Sequence, residues 1–144
     1  MFSHLLVPLD GSEYGARALA YAEGLAKSSG GKISLLMVLL RPALESAPRV
    51  PKLDEQSRKF AEEHLEQTAA TVRKHGLAEV SVAVELGEPA ERITEYARSQ
   101  GVDLIVMSTH GLGATGRYAI GSVALKVLMT APCPVFMVRI EQPK

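Results

Sequence analysis

A glycine-rich segment, Ser108 to Ser122 (STHGLGATGRYAIGS), contains the residues of this sequence that are best suited to binding chemistry. It has four glycines in fifteen residues, follows a short apolar run and precedes a segment with the pattern of a helix. Glycine lets a ligand approach the backbone closely, and a helix that begins after such a segment offers free N–H groups at the positive end of its dipole. The segment therefore predicts a cradle for an anion such as phosphate.

Two other interpretations of these residues are weaker. The pattern Gly111-x-Gly113-x-x-Gly116 resembles a dinucleotide fingerprint, but that motif follows a first strand and needs an acidic residue about 20 positions later. Here the next acidic residue is Glu141. A catalytic triad of Asp10, His110 and Ser122 lacks the G-x-S-x-G elbow, and Ser122 stands where we expect a helix N-cap. NAD binding and serine hydrolase chemistry are both disfavoured.

Strand-like and helix-like segments alternate along the chain. The strands are short, apolar and rich in branched residues, and the helices have an apolar stripe, a polar or proline start and, for the first three, a glycine after the end. The predicted strands are His4–Asp10, Lys32–Leu40, Glu79–Leu86, Asp103–Ser108 and Val135–Ile140; the predicted helices lie between Ser12 and Gly30, over Leu53–Lys74, within residues 87–101 and over Ser122–Thr130.

This alternation predicts an α/β fold with an open five-stranded parallel sheet and helices on both faces. Right-handed crossovers and a central first strand give the order 3-2-1-4-5, as in Rossmann-like and flavodoxin-like domains, with residues 1–144 forming one domain. Ligands bind such sheets at the switch point, here between strands one and four. Those strands end at Asp10 and Ser108, so the glycine-rich segment starts at the predicted cleft.

The remaining helical and proline-rich segments are assigned structural roles. The apolar stripes of the second and third helices, which include Phe60, Leu65, Val72, Ile93 and Ala97, are predicted to be core. Residues 41–52 (RPALESAPRVPK) contain three prolines and predict an irregular, mobile loop that borders the cleft. The third strand alternates apolar and polar residues and is predicted to lie at a sheet edge.

Composition excludes several classes of function. The chain has 144 residues, 47% of them hydrophobic, and its sixteen basic residues balance sixteen acidic ones. That balance argues against nucleic-acid or membrane-surface binding. The single cysteine, Cys133, and four scattered histidines predict no disulfide and no metal site built from protein ligands. There is no signal-peptide pattern, and the longest apolar run is too short to span a bilayer, so a cytoplasmic location is expected.

The chain resembles the universal stress protein family along essentially its whole length. The family's ATP-binding members carry G-x2-G-x9-G-[ST] after the fourth strand, and this sequence has Ser108-x2-Gly111-x9-Gly121-Ser122, with serine at the first glycine position. The segments LLVPLDGSEYGARAL, GEPAERI, DLIVMSTHG and GSVALKVLMTAPCPVFMV also resemble recurring family segments, in the family's order.

The resemblance implies an adenine-nucleotide site for ATP, or for AMP or ADP, with Mg²⁺ or Mn²⁺ held through phosphate oxygens rather than by the protein. Asp10 would contact the nucleoside, and the backbone near Val38 would hold the adenine edge. Gly111, Gly121 and Ser122 would hold the phosphates through backbone N–H groups and the hydroxyl, with further amides from Val123 and Ala124. The implied binding residues are Pro8, Leu9, Asp10, Val38, Met107, Ser108, His110, Gly111, Gly121, Ser122, Val123 and Ala124.

The last strand predicts self-association. It is continuously apolar, yet the predicted strand order leaves it at an edge, where it invites pairing with another chain. We expect a homodimer through Val135, Phe136, Met137 and Val138, which the family resemblance also implies.

No set of residues supplies a positioned base and nucleophile for phosphoryl transfer, so a nucleotide-binding stress-response or regulatory protein is favoured over an enzyme. The alternatives are a protein interaction module without nucleotide and a slow ATPase.

Overall fold

A computed structural model of the protein describes residues 1–40, 51–110 and 120–140, and of residues 51–54 the backbone alone. Strands and helices alternate as predicted. They are β1 (His4–Pro8), α1 (Glu13–Ser29), β2 (Lys32–Leu39), α2 (Pro51–Lys74), β3 (Val80–Leu86), α3 (Pro89–Ser99), β4 (Leu104–Ser108), α4 (Ser122–Thr130) and β5 (Val135–Val138). In this described part, no helix is long and apolar enough to cross a membrane.

The five strands form one parallel sheet in the order β3-β2-β1-β4-β5. This confirms the predicted fold class and strand order. The central strand β1 pairs with β2 on one side and with β4 on the other, while β3 and β5 lie at the two edges. The chain therefore reverses its direction of travel across the sheet between β1 and β4, and the carboxyl ends of these strands flank the switch point.

Each face of the sheet is covered by a hydrophobic core. The face against α1 and α2 includes Leu5, Val7, Leu35, Leu65 and Val72, and the face against α3 and α4 includes Leu6, Leu36, Ile93, Ile105 and Val127, all of them buried. Successive residues of β1 therefore enter opposite cores. This explains why the central strands are apolar without alternation.

The strand ends differ by one or two residues from the predicted bounds. β1 stops at Pro8 because, after the Leu9 N–H donates to Leu36 O at 2.8 Å, Gly11 adopts φ +90° and turns the chain into α1. β5 stops at Val138, two residues before the predicted end. α2 begins at Pro51, inside the predicted loop, and residues 41–50 of that loop lie outside the described residues.

One helix cap and one core residue were predicted wrongly. Gly121 is the N-cap of α4, so Ser122 is the first helical residue and not the cap. Phe60 is 76% exposed, whereas the rest of its predicted stripe is buried from Ala61 onward. The described residues of α2 before Ala61 are exposed, although Arg58 Nη1 donates to Val84 O of β3 at 3.3 Å.

A chain of hydrogen-bonded polar groups, in which His4 and Ser34 are buried, crosses the sheet at the end of the strands opposite to the switch point. The His4 ring lies 3.2 Å from Gln100 O through Nδ1 and 2.7 Å from Ser34 Oγ through Nε2, and Ser34 Oγ lies 2.9 Å from Ser81 Oγ. A carbonyl oxygen can only accept, so Nδ1 carries a proton. When the ring is neutral, Nε2 accepts from the Ser34 hydroxyl, which can then accept from Ser81 Oγ.

We expect the free energy of unfolding to fall as the pH is lowered from 7.5 to 5, with His4 as one cause. Burial, and then the nearby Lys32 charge, lower the pKa of His4 below its ordinary value of 6.5, although Gln100 O and Asp103 oppose this. Between the folded-state pKa and 6.5 the unfolded chain therefore binds more protons, and acid favours unfolding.

Denaturant titrations across this pH range test the contribution of His4. The variant His4→Gln keeps one donor and one acceptor but cannot titrate, so its stability should fall less steeply below pH 6.5 than that of the wild-type protein. Equal slopes in the two proteins would rule out His4 as a source of the pH dependence.

Candidate functional site

A cavity of about 590 Å³ opens at the carboxyl ends of β1, β2 and β4, at the predicted switch point. The amino-terminal ends of α1, α3 and α4 border it. Its described lining consists of Pro8, Leu9, Asp10, Gly15, Leu36, Met37, Val38, Leu39, Leu40, Pro89, Ile93, Met107, Ser108, Thr109, His110, Ile120, Gly121, Ser122, Val123 and Ala124. A cavity of this size is within the usual range for small-molecule sites.

Every predicted site residue that the structure describes lines this cavity, and Gly111 lies outside the described residues. Several lining residues were not predicted from the sequence, among them Thr109, Pro89 and Ile93. The position of Thr109 between Ser108 and His110, two predicted site residues, could have indicated that it lines the cavity. Ile93 was assigned to the core, and its burial is consistent with that role as well as with lining the cavity.

Asp10 lies where β1 turns into α1. Its Oδ1 accepts a hydrogen bond from the Ser12 N–H at 2.9 Å, which closes a tight turn around Gly11, and the Asp10 side chain remains exposed. Ser12 is the N-cap of α1, as predicted, but its hydroxyl makes no capping bond. The turn fixes a carboxylate at the cavity edge, where it can accept hydrogen bonds from ligand hydroxyls.

Val38 presents main-chain groups to the cavity at the end of β2. Leu36 O accepts from β1, and Leu39 O accepts from Gly87 N–H at 3.0 Å on the β3 side. Because successive residues of a strand direct their N–H and C=O groups to alternate sides, those of Val38 face the β1 side, as those of Leu36 do. β1 has ended by this point, so this donor and acceptor face the cavity.

The described ends of the glycine-rich segment are tied together by Thr109. Its carbonyl accepts from the Gly121 N–H at 2.7 Å, its N–H donates to Val138 O at 3.0 Å, and its hydroxyl accepts from the Ile140 N–H at 3.2 Å. The start of α4 is thereby fixed beside the ends of β4 and β5. Ser108 is the last residue of β4, and its Oγ donates to His110 O at 2.5 Å.

The first turn of α4 presents main-chain donors that have no acceptor within the helix. Gly121 provides no side-chain cap, and the first intrahelical bond runs from Leu125 N–H to Gly121 O at 2.9 Å. The N–H groups of Ser122, Val123 and Ala124 therefore lack intrahelical acceptors. The neighbouring helix α3 differs, because the Glu88 carboxylate accepts from its Glu91 N–H at 2.8 Å.

His110 is buried at the cavity wall, with 5% of its surface exposed. Its Nδ1 lies 3.0 Å from Thr109 Oγ1, its Nε2 has no hydrogen-bond partner, and its ring centroid is 6.5 Å from that of Tyr14. The ring is thus hydrogen-bonded to neither Asp10 nor Ser122, so these residues do not form a catalytic triad.

Positive side chains are absent from the described lining, in which Asp10 and His110 are the titratable groups. Across the described residues, no group of three or more histidine, cysteine or acidic side chains could hold a metal ion. The described wall can therefore bind an anion through main-chain N–H groups and the dipole of α4 rather than through lysine or arginine.

Comparisons with known proteins agree with this architecture. The model of the universal stress protein family matches residues 1–139. A protein of Thermus aquaticus described as a universal stress protein is 37% identical over 147 residues, which cover 96% of this chain and 100% of that protein. The structure of UspA from Lactobacillus plantarum superposes with a TM-score of 0.81 at 26% identity, covering 96% of this chain and 98% of that chain.

Two similar solved structures contain adenine nucleotides. One is a universal stress protein in complex with cAMP, with a TM-score of 0.73, 22% identity and coverage of 95% of this chain and 97% of that one. The other is the universal stress protein from Archaeoglobus fulgidus in complex with dAMP, with a TM-score of 0.68, 21% identity and coverage of 95% and 97%. At these identities the likeness to this chain concerns the fold.

Proposed function

This chain belongs to the universal stress protein family, and we propose that it is a nucleotide-binding regulatory protein that binds ATP, ADP or AMP in the cavity beside β1 and β4 and acts as a homodimer. The free N–H groups on the first turn of α4, which border a cavity at the switch point of the sheet, are the main support. Two relatives bind adenine nucleotides, which favours the same class of ligand here.

The phosphates are assigned to the first turn of α4. Ser122, Val123 and Ala124 offer three N–H groups without intrahelical acceptors, and the Ser122 hydroxyl adds a donor. Among the helices that border the cavity, α1 and α3 each have a carboxylate at their first N–H groups, through Asp10 and Glu88. A phosphate therefore meets the least negative charge at α4.

The base is assigned to the end of β2. The free N–H and C=O of Val38 match the N1 acceptor and N6 amino donor on the Watson–Crick edge of adenine. Guanine presents the opposite pattern there, a donor at N1 and an acceptor at O6, so the same two groups would oppose it. Apolar side chains of the lining, including Leu39, Pro89 and Ile93, would enclose the ring.

Asp10 and the remaining predicted residues complete the proposed site. The Asp10 carboxylate is suited to accept hydrogen bonds from the ribose hydroxyls. Pro8, Leu9 and Met107 form part of the cavity wall. Ser108, His110 and Gly111, at the start of the glycine-rich segment, complete the proposed set of binding residues. Because the described lining has no lysine or arginine, Mg²⁺ or Mn²⁺ on the phosphate oxygens would offset the charge of ATP or ADP.

The homodimer is assigned to the edge of the sheet at β5. Pro134 O and Val138 O accept hydrogen bonds from β4 and its extension, so by alternation the main-chain groups of Val135 and Met137 face outward. Phe136 on this edge and Tyr21, whose ring centroid lies 5.8 Å from that of Phe136, are exposed apolar side chains. A second copy related by a twofold axis would pair the outward groups and cover these two rings.

The first experiment is to denature freshly purified protein, identify any released nucleotide by chromatography and mass, and titrate the nucleotide-free protein with AMP, ADP and ATP, with and without Mg²⁺. We expect stoichiometric release or micromolar binding, with guanine nucleotides binding much more weakly. No release and no binding at millimolar adenine nucleotide would contradict the proposal and favour the interaction module. Turnover of bound ATP would instead favour the slow ATPase.

A further inference from the structure

Lys126 extends toward the proposed phosphate site from the second turn of α4. It lies four residues after Ser122, so the two side chains share one face of the helix, and helical side chains lean toward the amino terminus. Ser122 lines the cavity. The stem of Lys126 therefore runs along the face that leads to the first turn of α4.

The Lys126 ammonium forms an ion pair with Glu88, next to residues that line the cavity. Nζ lies 3.2 Å from Glu88 Oε1, while Glu88 Oε2 accepts from the Glu91 N–H at 2.8 Å. Pro89, the next residue after Glu88, lines the cavity. The ion pair thus joins the amino-terminal ends of α3 and α4 beside the proposed ligand.

Releasing Lys126 from this ion pair costs little. Its side chain is 64% exposed and that of Glu88 is 37% exposed, and ion pairs between exposed side chains contribute little to stability. Glu88 keeps its bond to the Glu91 N–H when the lysine leaves. That bond, followed by Lys126, also holds the pKa of the Glu88 carboxyl below its usual value.

We propose that Lys126 is a specificity-determining residue. It breaks its ion pair with Glu88 and binds the β- or γ-phosphate of ADP or ATP, and it therefore favours these nucleotides over AMP. The proposal rests on the proposed function, since it concerns the same site. The described cavity wall contains no lysine or arginine, so each phosphate beyond the first brings negative charge that this described part of the wall does not neutralise. Lys126 is a cation within one helical turn of the N–H groups that hold the first phosphate.

The test is to measure the dissociation constants of AMP, ADP and ATP in EDTA, for the wild-type protein, Lys126→Met and Glu88→Gln. We expect Lys126→Met to weaken the affinity for ADP and ATP about fivefold to tenfold, because a charge-assisted contact is lost. The affinity for AMP should change by less than about twofold. Glu88→Gln keeps an acceptor for the Glu91 N–H but removes the charge that pairs with Lys126. It should therefore strengthen the affinity for ADP and ATP about twofold to threefold.

Matched controls come from the ion pair of Arg98 and Glu95 at the other end of α3, which is joined at 3.1 Å and similarly exposed. Arg98→Met and Glu95→Gln make the same changes in net charge and should leave all three affinities unchanged. The role of Lys126 would be overturned, with the proposed function left standing, by any of three results. These are an equal loss of affinity for AMP and ATP in Lys126→Met, no loss of affinity in that variant, or an equal loss of affinity in Arg98→Met. Failure of the wild-type protein to bind any of the three would overturn the proposed function as well.

Discussion

Gly121→Val is expected to abolish adenine-nucleotide binding while leaving the sheet intact. A Cβ at position 121 would lie 3.2 Å from Thr109 O and 3.8 Å from His110 Cα. The same Thr109 O accepts from the Gly121 N–H at 2.7 Å, so the two added methyl groups of valine cannot be accommodated without moving the start of α4. The φ of Gly121 is −66°, which means that crowding rather than backbone strain causes the effect.

The structure changes the physical reason for this expectation. From the sequence alone, the valine side chain is expected to enter the phosphate site directly. In the structure the Cβ direction leads to Thr109, so valine would act by displacing the first turn of α4 from the ends of β4 and β5. Its N–H groups would then no longer converge on the cavity, and Gly121→Ala should give an intermediate loss.

Calorimetric titration with ATP and with AMP checks this prediction, with far-ultraviolet circular dichroism and a thermal unfolding curve to confirm the fold. Gly24→Val is the matched control, because a Cβ at Gly24 of α1 meets nothing within 4 Å. It should bind nucleotide as the wild-type protein does. Wild-type affinity in a folded Gly121→Val protein would show that the start of α4 does not hold the phosphates.

The fold could be predicted because each level of the sequence pattern agrees with it. Leu5, Leu6 and Val7 are consecutive apolar residues, and they enter alternate cores because helices cover both faces of the sheet. Once the alternation of strands and helices is recognised, crossover handedness and a central β1 give the strand order. The cleft follows from that order without any knowledge of side-chain positions.

Details that depend on tertiary distances could not be predicted. Phe60 was assigned to the apolar stripe of α2, but it lies outside the repeat of that helix's buried residues, which are Ala61, Leu65, Ala69 and Val72. Ser122 has the residue type of an N-cap, yet the bond from Gly121 N–H to Thr109 O places the cap one residue earlier. Thr109 could be suspected from its place between two predicted site residues, but its hydrogen bonds to Gly121, Val138 and Ile140 have no motif signature.

Phe136→Lys is expected to convert the proposed homodimer to a monomer without unfolding the chain. Phe136 lies on edge strand β5, is 37% exposed, and has its ring centroid 5.8 Å from that of Tyr21. In a twofold dimer through β5, each substitution would place two lysines in one interface and remove two aromatic rings from it. We expect the dimer dissociation constant to rise at least about a hundredfold, since buried aromatic residues dominate such interfaces.

Sedimentation velocity at micromolar concentration measures this change, and Phe60→Lys is its control. Both substitutions replace an exposed phenylalanine with lysine, and both add one positive charge, but Phe60 lies on α2 and not at the β5 edge. If exposed apolar area or net charge alone caused association, the two variants would behave alike. The outward main-chain groups of Val135 and Met137 define the proposed contact, so only Phe136→Lys should dissociate the dimer. A monomeric wild-type protein, or a Phe136→Lys protein that is still dimeric, would contradict pairing through β5.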